Sequence, residues 1–209
     1  MTPMGSCPKK KNRVAVLGAR GMLGTDLVTL LTTEGYAVST HDLPECNITV
    51  EQDLRSALND VDAVINCAAY TNVDGAEADA ALAFAVNGAA VGVLADAAAR
   101  LGVYVIHIST DFVFDGSLDR PYTEQDLPNP VNVYGASKLA GEDALRASSC
   151  RATVVRIQWT YGTHGVHFVS KFLERATSSQ DLMMVSDQIG APTWTRDVSQ
   201  ALLGMLQAE

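Results

Sequence analysis

The sequence predicts an α/β fold: a Rossmann-type doubly wound parallel sheet with a small C-terminal substrate lobe. Three observations predict it. From Arg13 onward, short β-branched runs alternate with longer helical stretches. The runs are almost continuously apolar, as strands buried on both faces must be. A glycine-rich loop follows the first of them, where a dinucleotide-binding fold needs one. At 209 residues and 47% hydrophobic, the chain suits one domain with a sizeable core.

The elements follow in order. "RVAVLG" reads as a buried strand and "MLGTDLVTLLTTEG" as a helix stopped by Gly35. "YAVSTHD" is a second strand, "VEQDLRSALND" an amphipathic helix and "DAVINCAA" a third strand. The alanine-rich "EADAALAFAVNGAAVGVLADAAARLG" is a long helix ended by Gly102, and its small residues let it approach the sheet closely. "VYVIHIST" is the fourth strand, the segment around Tyr134 turns from loop into helix, and "ATVVRIQ" is the fifth strand. "HFVSKFLERAT", "LMMV" and "TRDVSQALLGMLQ" supply a helix, a strand and a closing helix. Residues 1–12 are expected to be a disordered tail, 13–160 a dinucleotide-binding domain, and 161–209 the remainder of the fold, contributing to the substrate lobe.

Composition excludes several classes. A formal net charge of −9 and a pI near 4.8 argue against a nucleic-acid binder. Cys7, Cys46, Cys67 and Cys150 are scattered without a CxxC pair, which fits a reducing cytoplasm better than a zinc knuckle or disulfide framework. The basic N-terminus lacks the apolar stretch of a secretory signal, and Lys9 stands where a myristoylation signal at Gly5 needs Ser or Thr. No apolar run reads as long enough to span a membrane. His164 and His167 lack a ligand partner at suitable spacing, Asp74 and Glu77 read as helix N-terminal charges, and His107 as a satisfied core residue, so no metal site is expected.

Chemistry concentrates at the strand ends. In "GARGMLG", Gly18 permits the tight turn, Gly21 lets a pyrophosphate approach the backbone, and Gly24 lets helix and strand pack closely. Asp42 ends the second strand, where an acid hydrogen-bonds ribose hydroxyls and favours NADH; Arg20 within the loop pairs with a 2′-phosphate and favours NADPH. The two signals conflict; the cofactor expected is NADPH, with NADH as the alternative. Ser109, Thr110 and Asp111 lie at the carboxyl edge of the sheet, where open α/β folds bind ligands. Tyr134 and Lys138 are four apart and share a helix face. A nearby ammonium favours phenolate, so the phenol is expected to titrate below its usual value near 10 and to serve as a proton donor to a carbonyl. An ordinary surface Tyr/Lys pair has the same spacing, but not the preceding glycine loop and Thr110. Trp159 and Trp194 offer indoles for stacking on a sugar or base, or simply fill core.

"GARGMLG", "NCAAYTNVDGAE", "STDFVFDG", "NPVNVYGASKLAGE" and "DQIGAPT" together resemble the extended short-chain dehydrogenase/reductases, and more narrowly the dTDP-4-dehydrorhamnose reductases, from about Arg13 to the end of the chain. The resemblance implies Thr110, Tyr134 and Lys138 as a catalytic triad, with Lys138 also holding the nicotinamide ribose. It implies Gly18, Gly21, Met22 and Leu23 along the pyrophosphate, and Ala68, Ala69 and Tyr70 beside the nicotinamide. The sugar nucleotide would lie near Thr71, Val73, Thr110, Asp111, Trp159 and the stretch Gly190, Ala191, Pro192 and Thr193. The implied reaction is reduction of the C4 ketone of dTDP-4-dehydro-L-rhamnose by a cytoplasmic monomer or homodimer. Related dehydratases carry Asp-Glu after the threonine; Asp111-Phe112 here favours simple reduction. Asn47 replaces a usual aspartate near the adenine, and relatives continue beyond Glu209, which implies a truncated or reduced sugar lobe. The alternative from another class is a non-catalytic NADP-binding subunit resembling the β-subunit of methionine adenosyltransferase.

Overall fold

The computed structural model describes residues 13–178, 183 and 185–209. The expected tail over residues 1–12, and Leu182 and Met184 of the strand expected over "LMMV", lie outside them. Strands β1 (Arg13–Leu17), β2 (Ala37–His41), β3 (Ala63–Asn66), β4 (Tyr104–Thr110) and β5 (Ala152–Ile157) form one parallel sheet in the order β2-β1-β3-β4-β5. The order reverses between β1 and β3, and at such a switch the connections leave to opposite faces and open a crevice at the carboxyl ends of the strands.

Because strand side chains alternate, each strand feeds two cores. On one face Ala15, Leu17, Val64 and Val105 pack beneath α2 (Glu51–Ala57), α5 (Ala90–Leu101) and α6 (Val133–Ala147), meeting Leu54, Leu94 and Leu145. On the other, Val14, Val16, Ile65 and Ile106 meet Leu23, Leu27 and Leu31 of α1 (Met22–Thr33) and Val198 and Leu202 of α8 (Thr195–Ala208). Each fully buried leucine contributes roughly 1.5–3 kcal/mol relative to exposure. The closing helix is thus part of the main core, and Thr195 ties it down by donating its hydroxyl to Asp26 Oδ2 on α1 at 2.5 Å.

The long alanine-rich helix is more divided than expected. Helix α3 (Val73–Ala78) stops at Asp79, whose side chain accepts from Leu82 N at 3.1 Å and starts α4 (Ala80–Phe84). An aspartate that can cap competes with the helix it interrupts. A π-helical turn, Ala85–Ala89, then joins α4 to α5. The span Ala80–Leu101, 22 residues with mean hydropathy 1.6, is long and apolar enough by length and composition to cross a membrane, which corrects the expectation that no stretch is. Here it packs against the sheet and α6, and its apolar character serves that packing. A two-stranded parallel pair, β6 (Thr160–Tyr161) with β7 (Thr193–Trp194), and the amphipathic α7 (Phe168–Thr177) complete the described elements.

Candidate active site

The glycine loop is held by backbone contacts. Gly18 has φ +74°, and a Cβ there would come within 2.6 Å of Ala68 N at the end of β3. A Cβ on Gly24 would overlap the Gly18 carbonyl oxygen, so α1 can cross the loop this closely only without one. Helix α1 starts at Gly21 with no side-chain cap, and Gly21 and Met22 line the crevice, leaving first-turn N–H groups for an anion. Asp42 spans the loop: Oδ2 accepts from Arg20 N at 2.7 Å and Oδ1 from Leu43 N at 2.8 Å. The exposed Arg20 guanidinium pairs with Glu45 at 2.8 Å and donates to Leu43 O at 2.5 Å. The two conflicting coenzyme signals therefore occupy one corner and are both already engaged.

The proton-transfer residues come together where β4 ends. Thr110 closes the strand and Asp111–Val113 turn away from it, with Phe112 N donating to Thr110 Oγ1 at 3.2 Å. Helix α6 begins against this turn: a Cβ on Gly135 would overlap the Phe112 carbonyl oxygen. Its start is fixed twice, by Asn132 Oδ1 accepting from Gly135 N at 2.7 Å and by Glu77 accepting from Val133 N at 2.8 Å. The result seats Tyr134 beside Thr110 and Phe112, the two rings meeting edge to face at 5.7 Å.

Lys138 departs from expectation. Only 2% exposed, it turns inward and donates to the Ile108 carbonyl at 2.7 Å, with His107 Nε2 at 3.4 Å. Burial pushes it down to about 8, although Glu142 and Cys67 favour the charged form. Burial also raises the Tyr134 phenol, the Thr110 hydroxyl opposes the rise, and Asp111 adds to it. The expected lowering by Lys138 is thus overturned: the amine is committed to the sheet and burial raises the phenol. Burial raises the Asp111 carboxyl as well, and pushes the Cys67 thiol up to about 12.

A cleft of about 770 Å³ collects most of the expected residues. Gly18, Arg20, Gly21, Met22, Leu23, Asp42, Ala68 and Ala69 line one part, and Thr71, Val73, Thr110, Asp111, Tyr134, Lys138 and Trp159 the other. Trp159 adopts a left-handed φ of +42°, a cost a bulky residue bears only where its surroundings enforce it. Tyr70 is not among the lining residues; its backbone N–H and carbonyl are both bonded to Asn87. Gly190 lies against Trp159, where a Cβ would sit 2.9 Å from the indole, and Thr193 pairs with Thr160, so this stretch supports the cleft rim. Ala191 accepts from the Thr193 hydroxyl, and neither it nor Pro192 lines the cleft. Asn47 does line it, beside Cys46 and Ile48, with its amide oxygen accepting from Thr49. Trp194 instead carries Arg196 over its ring at 5.4 Å. His167 caps α7 through Ser170, and among the described residues no His/Cys/Asp/Glu group gathers to hold a metal.

Sequence reasoning missed the supporting polar residues. Asn87, in the π-helical turn, also donates to Ser137 at 2.9 Å. The fully buried Glu142 takes Ser109 at 2.6 Å, Arg156 at 2.9 and 2.6 Å, and Arg146 at 2.6 Å, which outweigh burial and hold its carboxyl below the usual range. The available signal was a polar residue inside an apolar run, as at Asn66 and Asn87, the same signal by which His107 reads as a satisfied core residue.

The RmlD substrate binding domain family matches residues 12–209. A dTDP-4-dehydrorhamnose reductase of Sinorhizobium fredii is 46% identical over 198 residues, 91% of this chain and 65% of that protein. The spore coat polysaccharide biosynthesis protein SpsK of Bacillus subtilis is 38% identical over 193 residues, 91% of this chain and 68% of that one. The chain thus spans about two thirds of the length of these curated relatives. The crystal structure of a dTDP-4-dehydrorhamnose reductase from Bacillus anthracis in complex with NADP superimposes with a TM-score of 0.90 at 34% identity, covering 94% of this chain and 71% of that one.

Proposed function

We propose a function on one premise: this chain belongs to the RmlD substrate binding domain family. The reading is NADPH-dependent reduction of the C4 ketone of a nucleotide-linked deoxysugar in the cytoplasm, with dTDP-4-dehydro-L-rhamnose as the substrate and dTDP-L-rhamnose as the product. The observation that carries it is the convergence, in one cleft at the sheet's carboxyl edge, of the uncapped α1 terminus behind Gly18 and the Thr110–Tyr134 pair. NADP in the B. anthracis structure and the names of the relatives support it.

The residues fit a dinucleotide. Met22 and Leu23, at the start of α1, offer backbone N–H groups to a pyrophosphate, and Arg20 can exchange its exposed Glu45 partner for a 2′-phosphate. Asp42 already holds two backbone N–H groups, so it stiffens the loop more than it selects a ribose diol. When bound, a reduced nicotinamide supplies hydride to the carbonyl carbon. Tyr134 gives its phenolic proton to the carbonyl oxygen, Thr110 hydrogen-bonds that oxygen, and solvent reprotonates the phenolate afterwards. Trp159 and Val73 flank the sugar nucleotide.

The test is NADPH oxidation, followed by absorbance, with dTDP-4-dehydro-L-rhamnose. Wild type turns over, and Tyr134→Phe falls about 10²–10⁴-fold with unchanged NADPH affinity. NADPH binding with no turnover in wild type leaves a binding subunit and overturns the enzymatic reading.

A further inference from the structure

A chain of hydrogen bonds runs through the sheet behind Lys138, and donors stand at both of its ends. The Ala68 backbone N–H donates to Asn66 Oδ1 at 3.1 Å. A backbone N–H only donates, so this bond fixes the amide and turns Asn66 Nδ2 onto His107 Nδ1 at 3.1 Å. Nδ2 also only donates, which makes Nδ1 the acceptor and puts the ring proton on Nε2. A doubly protonated ring is no escape. His107 is fully buried, and burial, with Lys138 adding to it, pushes its conjugate acid well below the ordinary histidine range. Nε2–H therefore faces Lys138 Nζ, 3.4 Å away. An ammonium has no lone pair to receive it; a neutral amine does, and still donates to the Ile108 carbonyl at 2.7 Å.

We infer that His107 is a positioning residue that favours the uncharged amine of Lys138, so that in alkaline solution the lysine takes a proton from solvent when the dinucleotide binds. This rests on the dinucleotide reading above. The groups facing the amine are His107 on β4, the Cys67 thiol after β3 and Glu142 one turn along α6. Glu142 favours the ammonium, but Arg156 and Arg146 already answer its charge, and burial brings Lys138 down to about 8. A pyrophosphate and ribose hydroxyls add the acceptors and negative charge that reverse this balance. In that alkaline range the arriving ammonium lowers the Tyr134 phenol, so there the proton donor is activated when the hydride donor binds.

Isothermal titration calorimetry of NADPH binding to the whole chain carrying Tyr134→Phe, which has no phenolic proton to release, counts the protons taken up at pH 9 in two buffers of different ionisation enthalpy. At that pH the 2′-phosphate is fully ionised and takes up none, since its second pKa lies near 6. The Tyr134→Phe chain is expected to take up about one proton per NADPH, with affinity falling about tenfold for each pH unit above about 8. Asn66→Asp places an acceptor on Nδ1, moves the ring proton there and leaves Nε2 to receive from an ammonium. His107→Gln can turn its carbonyl oxygen to Lys138 without adding charge. Both variants, made in the Tyr134→Phe background, are expected to bind NADPH with uptake reduced toward zero. Binding by Tyr134→Phe without proton uptake, or uptake unchanged in both variants, overturns the inference; absence of NADPH binding to wild type removes the dinucleotide reading as well.

Discussion

The two sides of the cleft are built differently. On the sheet side, the loop after β1, the end of β4 and the start of α6 are locked by backbone approaches that leave no room for a Cβ at Gly18, Gly24 or Gly135, and by capping bonds to Asn132 and Glu77. On the rim, β6, α7 and β7 are short, α7 buries no residue, and Phe168 and Leu173 are 56% and 57% exposed. The sheet side holds Thr110 and Tyr134 on tightly packed backbone; the rim is a surface with an apolar character its own fold does not consume. Positioning of chemistry and recognition of substrate are thus assigned to parts with very different structural redundancy.

Substitutions can break this contrast. The largest effect is expected from Glu142→Gln, which leaves Arg156 and Ser109 short of a buried carboxylate and should cost about 3–5 kcal/mol in denaturant unfolding. The same residue sets a pH signature. Its folded-state pKa lies below the ordinary 4.5, so its stabilisation is complete above that value and is lost as pH falls through the lower, folded-state one. Wild type should lose stability below about pH 4.5 more steeply than Glu142→Gln in acid titrations monitored by circular dichroism. Next comes Leu27→Ala on α1, fully buried, at about 2–5 kcal/mol by thermal or denaturant melting. Smallest is Leu173→Ala on α7, within about 0.5 kcal/mol. If Leu173→Ala cost as much as Leu27→Ala, the rim would be structural core and the contrast would collapse.

The same contrast explains what could be read in advance. The doubly wound sheet was legible because near-continuous apolar runs such as "RVAVL" and alternating helices admit few other arrangements. The glycine loop was legible because Gly18 and Gly24 answer to local geometry. The positions of Thr110, Tyr134 and Lys138 followed from strand end and helix spacing. Where Lys138 points did not follow, because Ile108 and His107, on a strand about thirty residues earlier, decide it. The π-helical turn at Ala85–Ala89 and the β6–β7 pair carry no periodic signal, being set by the packing of Asn87 and Trp159 against distant elements.

One thiol beside the nucleotide cleft has a practical consequence. Cys67 lines that cleft, yet burial pushes its thiol up to about 12, so at neutral pH the sulfur stays protonated. Electrophilic reagents and peroxide, which attack thiolates, should leave this sulfur alone, so oxidative inactivation of the protein would have to begin elsewhere.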